Sequence, residues 1–192
     1  DGRSFAECIE LEQQVNNSRE ITGNIAMPGF TAPKVAWVKK YEPENFNKIE
    51  KVLLPKDYLR LLMTGEFASD MSDSAGTLWL DVAKREWSNE MLSATGLTES
   101  HMPKLFEGSD VTGILSAEVA QQWGIKQVPV AAGGGDNAAG AAGIGVISPN
   151  EAFISLGTSG VYFVANESYQ PNADGAVHTF CHCIADTWHQ MS

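Results

Sequence analysis

Cysteine is scarce in this chain: Cys8, Cys181 and Cys183 are the only three in 192 residues. They are too few and too unevenly placed for a disulfide framework, so a reducing, cytoplasmic setting is expected. Basic residues are also in short supply, 13 against 24 acidic ones, for a net charge of −11. A nucleic-acid binder needs a basic face to neutralise phosphates, and that class is excluded. No apolar run approaches the length of a membrane span, so no membrane partner is expected. No basic start followed by an apolar stretch opens the chain as a secretory leader would. Several catalytic motifs are missing as well. There is no Gly-x-x-x-x-Gly-Lys-Ser/Thr loop, and the glycines at 140, 143 and 145 stand in the wrong order for a dinucleotide fingerprint. Gly157-Thr158-Ser159-Gly160 is one residue short of a nucleophile elbow.

What is present is a globular composition. Hydrophobic residues make up 43% of the chain, enough for a core and too many for disorder. The chain begins Asp1-Gly2-Arg3-Ser4 without an initiator Met and ends on Trp188-His189-Gln190-Met191-Ser192, which reads as mid-element. It is therefore expected to be a piece of a longer protein. Ser4 with Glu7 forms a capping-box pattern ahead of a helix with Phe5, Ile9 and Val15 on its apolar face. Residues 16–29 read as loop. Thr31 is expected to cap a second helix, with Pro33 in its first turn. Pro55 starts a third helix that Gly65 ends, and Asp70 to Gly76 reads as a polar turn. Helices open at Ser88 and Ser116 and close at Gly96 and Gly124. Val128 to Ala132 reads as a short buried strand. Beyond Pro149 the period switches to two, with strands at 152–156, 161–164, 176–183 and 187–191. The fold class expected is α/β, a mostly helical part followed by the opening sheet of a second domain, divided at 148/149.

Two glycine segments carry the chemistry. In Ala132-Gly133-Gly134-Gly135-Asp136-Asn137, three glycines allow the backbone to approach a ligand closely. Asp136 then stands at a helix start, beside free N–H groups and the positive end of the dipole. A carboxylate there can accept a proton from a bound hydroxyl; the plainer alternative is that Asp136 is only the helix N-cap. Ser155-Leu156-Gly157-Thr158-Ser159-Gly160 is a turn between two strands. Its amides and hydroxyls can cradle phosphate oxygens, or it is an ordinary hairpin turn. His178, Cys181, His182, Cys183 and His189 lie close together in sequence. On a strand, Cys181 and Cys183 would face one way and His182 the other, so buried, hydrogen-bonded histidines are expected rather than a metal site.

In this order and separation the two segments resemble those of the FGGY carbohydrate kinases. Gly133 to Gly140 is similar to the stretch that holds that family's catalytic aspartate, and Ser155 to Ser159 to the phosphate-binding hairpin opening its second domain. Gly29 to Val38, with Lys34 and Trp37, resembles a family signature, although Tyr41 replaces a usual polar residue. Asp70 to Gly76 resembles another recurrent stretch. Asp1 to Ser4, His178 to His182 and Trp188 to Met191 are similar to the bacterial branch that acts on D-xylulose. The resemblance implies an actin-like ATPase architecture of two ribonuclease H-like domains, ending the first at 148 and beginning the second at 149. It implies transfer of phosphate from ATP, with Mg²⁺, to D-xylulose in pentose catabolism. Asp136 would be the general base, Asn137 a sugar contact, and Gly157, Thr158 and Ser159 the phosphate contacts. A homodimer is a candidate assembly. The alternatives are a family member for ribulose, gluconate or glycerol, or a non-catalytic sugar-binding module. The family's N-terminal phosphate loop, with its Mg²⁺-associated aspartate, and its adenosine-binding part are not in this sequence, so the chain by itself is expected to be inactive.

Overall fold

In the computed structural model residues 2–192 are described; Asp1, part of the opening segment compared with the family, lies outside them. The first helix, α1 (Phe5–Gln14), follows Ser4, but Ser4 makes no side-chain cap bond and the expected capping box does not form. Its backbone at φ −88°, ψ 22° is not the extended conformation that aims a cap hydroxyl at the next turn. The apolar face is only partly the one expected: Val15 is buried in the core. Phe5 and Ile9 are 63% and 49% exposed, while Glu7, Cys8 and Leu11 are buried. Lys40 Nζ, which bonds Glu10 at 2.7 Å, approaches the buried Glu7 carboxylate at 3.4 Å. The segment read as loop contains a short helix, α2 (Ser18–Thr22), and Gly23 ends it at φ +73°. Phe30, not Thr31, is the N-cap of α3 (Thr31–Tyr41), and the one-turn α4 (Pro43–Phe46) was not signalled by the pattern.

The middle of the chain places charge inside. Helix α5 (Pro55–Thr64) ends as expected at Gly65, φ +80°. It buries Asp57 and Arg60 and leaves Tyr58, Leu59 and Leu62 exposed. Strand β1 (Ala68–Asp70) follows, and the expected polar turn after it is a helix, α6 (Met71–Ala75), capped by Asp70. The Asp70 carboxylate accepts from the Ser72 and Asp73 amides at 2.8 and 3.1 Å, which is what converts the turn into a helix. Strands β2 (Leu80–Asp81) and β3 (Glu86–Trp87) form an antiparallel pair. Ser88 caps α7 (Asn89–Thr95), and β4 (Lys104–Phe106) then pairs with β1 in parallel. The main core gathers here around Leu78, Trp79, Leu80, Val82, Met91 and Leu92. Trp79 is fully buried, and its indole N–H donates to Thr95 Oγ1 at 3.0 Å, so the ring is packed without an unmet donor.

Strand β5 (Val111–Ile114) leads to α8 (Ala117–Trp123), capped by Ser116 and stopped by Gly124 as expected. Strand β6 (Pro129–Ala131) pairs antiparallel with β5, but it is not the buried strand expected: Val128 is 44% exposed and only Ala132 at its end is buried. A two-stranded ribbon has few neighbours to cover its faces. The last helix, α9 (Asp136–Gly143), buries Ala138 and Ala141. The final strands are β7 (Ala152–Leu156), β8 (Gly160–Asn166), β9 (His178–Cys181) and β10 (Trp188–Met191). They make an antiparallel sheet in the order β7-β8-β10-β9. Phe163, Ala165, Ala141 and Val146 form a second, smaller core that joins α9 to this sheet. Among the described residues no helix is long and apolar enough to cross a membrane.

Candidate active site

Gly135, the last of the glycine run, and the start of α9 line a cleft of about 160 Å³. Asp136, Asn137 and Gly135 come from this segment, Ser72 and Asp73 from α6, and His189 from β10. Gly135 is the N-cap of α9, so Asp136 is the first helical residue and the N-cap alternative does not describe it. Its carboxylate is exposed and accepts from the Asn137 backbone N–H at 2.8 Å and from Asn137 Nδ2 at 3.2 Å. That bond turns Asp136 and Asn137 into one unit at the cleft wall.

Behind the cleft lies a group of charges that the sequence reading did not pick out. Lys56 Nζ sits 2.7 Å from Asp57 Oδ1, 2.6 Å from Asp70 Oδ1 and 3.3 Å from Asp73 Oδ2. Arg60 pairs with Asp57 at 2.7 Å and also donates to the carbonyls of Ala132, at 2.6 Å, and Ala68. Ser69 donates to the other Asp57 oxygen at 2.6 Å. Asp57 and Asp70 are completely buried, which is tolerable only because each is paired and hydrogen-bonded. Burial by itself would lower the Lys56 pKa, but Asp70 and Asp57 outweigh it and hold the ammonium above its ordinary value. Asp73 goes the other way: burial raises it, against the pull of Lys56. The sequence signal was available in Asp57 and Arg60 at i, i+3 followed by Asp70 and Asp73. Asp70 and Asp73 fell in the stretch read as a polar turn, and charge inside a protein is the rarer case.

The hairpin residues stand apart. Gly157, Thr158 and Ser159 are exposed and are not among those lining the cleft. The Gly157 N–H donates to the Ser159 carbonyl at 3.0 Å, which closes the turn between β7 and β8. The cysteine and histidine cluster also differs from the alternating-face reading. Strand β9 ends at Cys181, and His182 Nδ1 and Cys183 Sγ then meet at 3.5 Å. Cys183 Sγ donates to the Ala138 carbonyl in α9 at 3.2 Å, and His182 Nε2 lies 3.2 Å from the carbonyl of Val146, just after that helix. Burial lowers the pKa of His182, and burial with the neighbouring His182 takes His189 down to about 3. Among the described residues no group of three or more His, Cys, Asp or Glu side chains converges to hold a metal ion.

Residues 1–143 match the sequence profile described as the FGGY family of carbohydrate kinases, N-terminal domain. The chain is 62% identical over 192 residues to a xylulose kinase of Escherichia coli strain K12, covering all of this chain and 40% of that protein. It is 59% identical, with the same coverage, to a xylulose kinase of Klebsiella pneumoniae. A crystal structure of a xyloylose kinase from Brucella ovis superposes with a TM-score of 0.97 at 57% identity, over all of this chain and 40% of that one. The chain thus spans about 40% of the length of these relatives.

Proposed function

This chain belongs to the FGGY family of carbohydrate kinases and has their actin-like α/β fold, and from that premise we propose that the whole protein phosphorylates D-xylulose. The reaction would carry the γ-phosphoryl group of ATP to the 5-hydroxyl of the sugar. A bond forms from the hydroxyl oxygen to phosphorus, the bond to the ADP oxygen breaks, and the hydroxyl proton leaves. The observation that carries the reading is an exposed carboxylate, Asp136, at the wall of a cleft and directly after three glycines.

Asp136 is assigned as the acceptor of the hydroxyl proton. In a loose phosphoryl-transfer transition state the nucleophile loses its proton late, so placement matters more than basicity. Asn137 already shares a hydrogen bond with Asp136 and has its remaining amide capacity available for sugar hydroxyls. Gly157, Thr158 and Ser159 are assigned to the β- and γ-phosphates; their exposure leaves amides and hydroxyls open to an anion. The described residues supply no ligand cluster for Mg²⁺. When bound with the nucleotide, that ion would offset phosphate charge, and none of the roles above passes through it.

The division at 148/149 is assigned as the junction of two domains that close over the substrates. Asn150 adopts φ +68° there, and Glu151 accepts from the Ile147 and Ser148 amides at 2.9 and 2.8 Å. Closure around such a junction would exclude water and suppress wasteful ATP hydrolysis. The test is Asp136→Ala in the whole protein, with ADP release as readout. Loss of a general base lowers the rate by roughly 10²–10⁴; activity within tenfold of the unaltered enzyme removes Asp136 from the role. A panel of D-xylulose, ribulose, gluconate and glycerol in the same assay checks the substrate.

A further inference from the structure

We propose that Ser72 is a positioning residue for Asp136, and that with Arg60 it fixes the two ends of the glycine run that carries the carboxylate. The inference rests on the reading of Asp136 given above. Three successive glycines have no side chains to hold them, and each loses more backbone freedom on folding than alanine would. Something outside the run must therefore set its path.

Four hydrogen bonds do so. At the leading end the Ala132 N–H donates to the Asp110 carbonyl at 2.9 Å, and the Ala132 carbonyl accepts from Arg60 Nη1 at 2.6 Å. The Gly133 N–H donates to the Gly108 carbonyl at 3.0 Å. At the trailing end the Gly135 N–H donates to Ser72 Oγ at 2.9 Å. Ser72 has one hydroxyl proton and gives it to Asp70 Oδ2 at 2.5 Å, which leaves its lone pair for Gly135. Asp70 is in turn held by Lys56 at 2.6 Å, and Arg60 by Asp57 at 2.7 Å. Asp57, Asp70 and Arg60 are buried, which shields their bonds from water.

The polarity of the chain is thus fixed from Lys56 through Asp70 and Ser72 to the amide beside Asp136. There is also little room to slide: a Cβ placed on Gly134 would lie 2.9 Å from Cys183 Cβ and 3.4 Å from Ser72 Oγ. Ser72 touches no reacting atom in this scheme. It acts by aiming Asp136, and a displacement of about 1 Å at a reacting group can cost on the order of a hundredfold in rate.

The experiment uses the whole enzyme. Ser72→Ala should lower kcat by roughly ten- to a hundredfold while KM for ATP stays within about twofold, and Ser72→Thr, which keeps the hydroxyl, should recover most of the loss. In an Asp136→Ala background, Ser72→Ala should change the residual rate by less than about twofold, because the group it aims is gone. An equal loss in both backgrounds, or kcat within twofold in the single variant, overturns the proposal. Should the variants not fold, amide hydrogen exchange of Gly135 in the unaltered protein decides: strong protection is expected, and exchange at the rate of an open loop overturns it. That measurement does not depend on what Asp136 does, so a failure of the functional reading and a failure of this one are told apart.

Discussion

The two glycine turns of this protein are built in opposite ways. The run at 133–135 is tied to Gly108, Ser72 and, through Ala132, to Arg60, and behind it stand the buried Asp57, Arg60 and Asp70. The turn at 157–160 is exposed and is closed by its own Gly157 to Ser159 bond. The first is organised before any ligand arrives. The second presents open backbone and hydroxyl groups that a ligand could organise. A carboxylate that must meet a proton within a narrow distance gains from the first arrangement. A loop that has to admit and release a phosphate chain gains from the second.

The sharpest way to break the contrast is Lys56→Met. It leaves Asp57 and Asp70 buried with less compensation, and breaking a buried pair in this way costs on the order of 3–5 kcal/mol. Urea unfolding of the whole protein should show that loss, and a shift under about 1 kcal/mol would mean the network does not support the glycine run. Acid offers a second probe, acting on the sheet side. His189 is buried with a folded pKa near 3, well under its ordinary 6.5, so the fold favours its neutral form. Its contribution is present in full above about pH 6.5 and falls away as pH drops toward 3, at about 1.4 kcal/mol per pH unit. Between pH 6.5 and 5 the protein should lose about 1.5–2 kcal/mol from this group, and His189→Phe should remove that part of the slope in a pH series of melts. The smallest stability effect should come from Thr158→Ala. An exposed turn residue should alter unfolding by no more than about 0.5 kcal/mol, while KM for ATP rises several-fold; a large stability loss would show that the second turn is as fixed as the first.

Much of the element pattern was legible in local chemistry. Gly65, Gly96 and Gly124 each end a helix in the left-handed region, and Ser88 and Ser116 each cap one, because these are properties of a residue and its nearest neighbours. The 152–156 strand fell where the period-two pattern put it. The errors share one cause. Ser4 and Glu7 have capping-box spacing, yet tertiary packing turned Glu7 inward toward Lys40. Helix α5 likewise turns Leu59 and Leu62 outward and Asp57 and Arg60 inward.

The sequence by itself determined the family, the order of the two glycine segments and the position of Asp136 directly after three glycines. These follow from residue identity and spacing, which do not depend on what packs against them. Only the tertiary structure decided that Ser72 reaches across 63 positions to the Gly135 amide. It also decided that the charges around Lys56 are interior. Whether a charge is interior depends on which distant elements pack over it, and no local pattern encodes that packing.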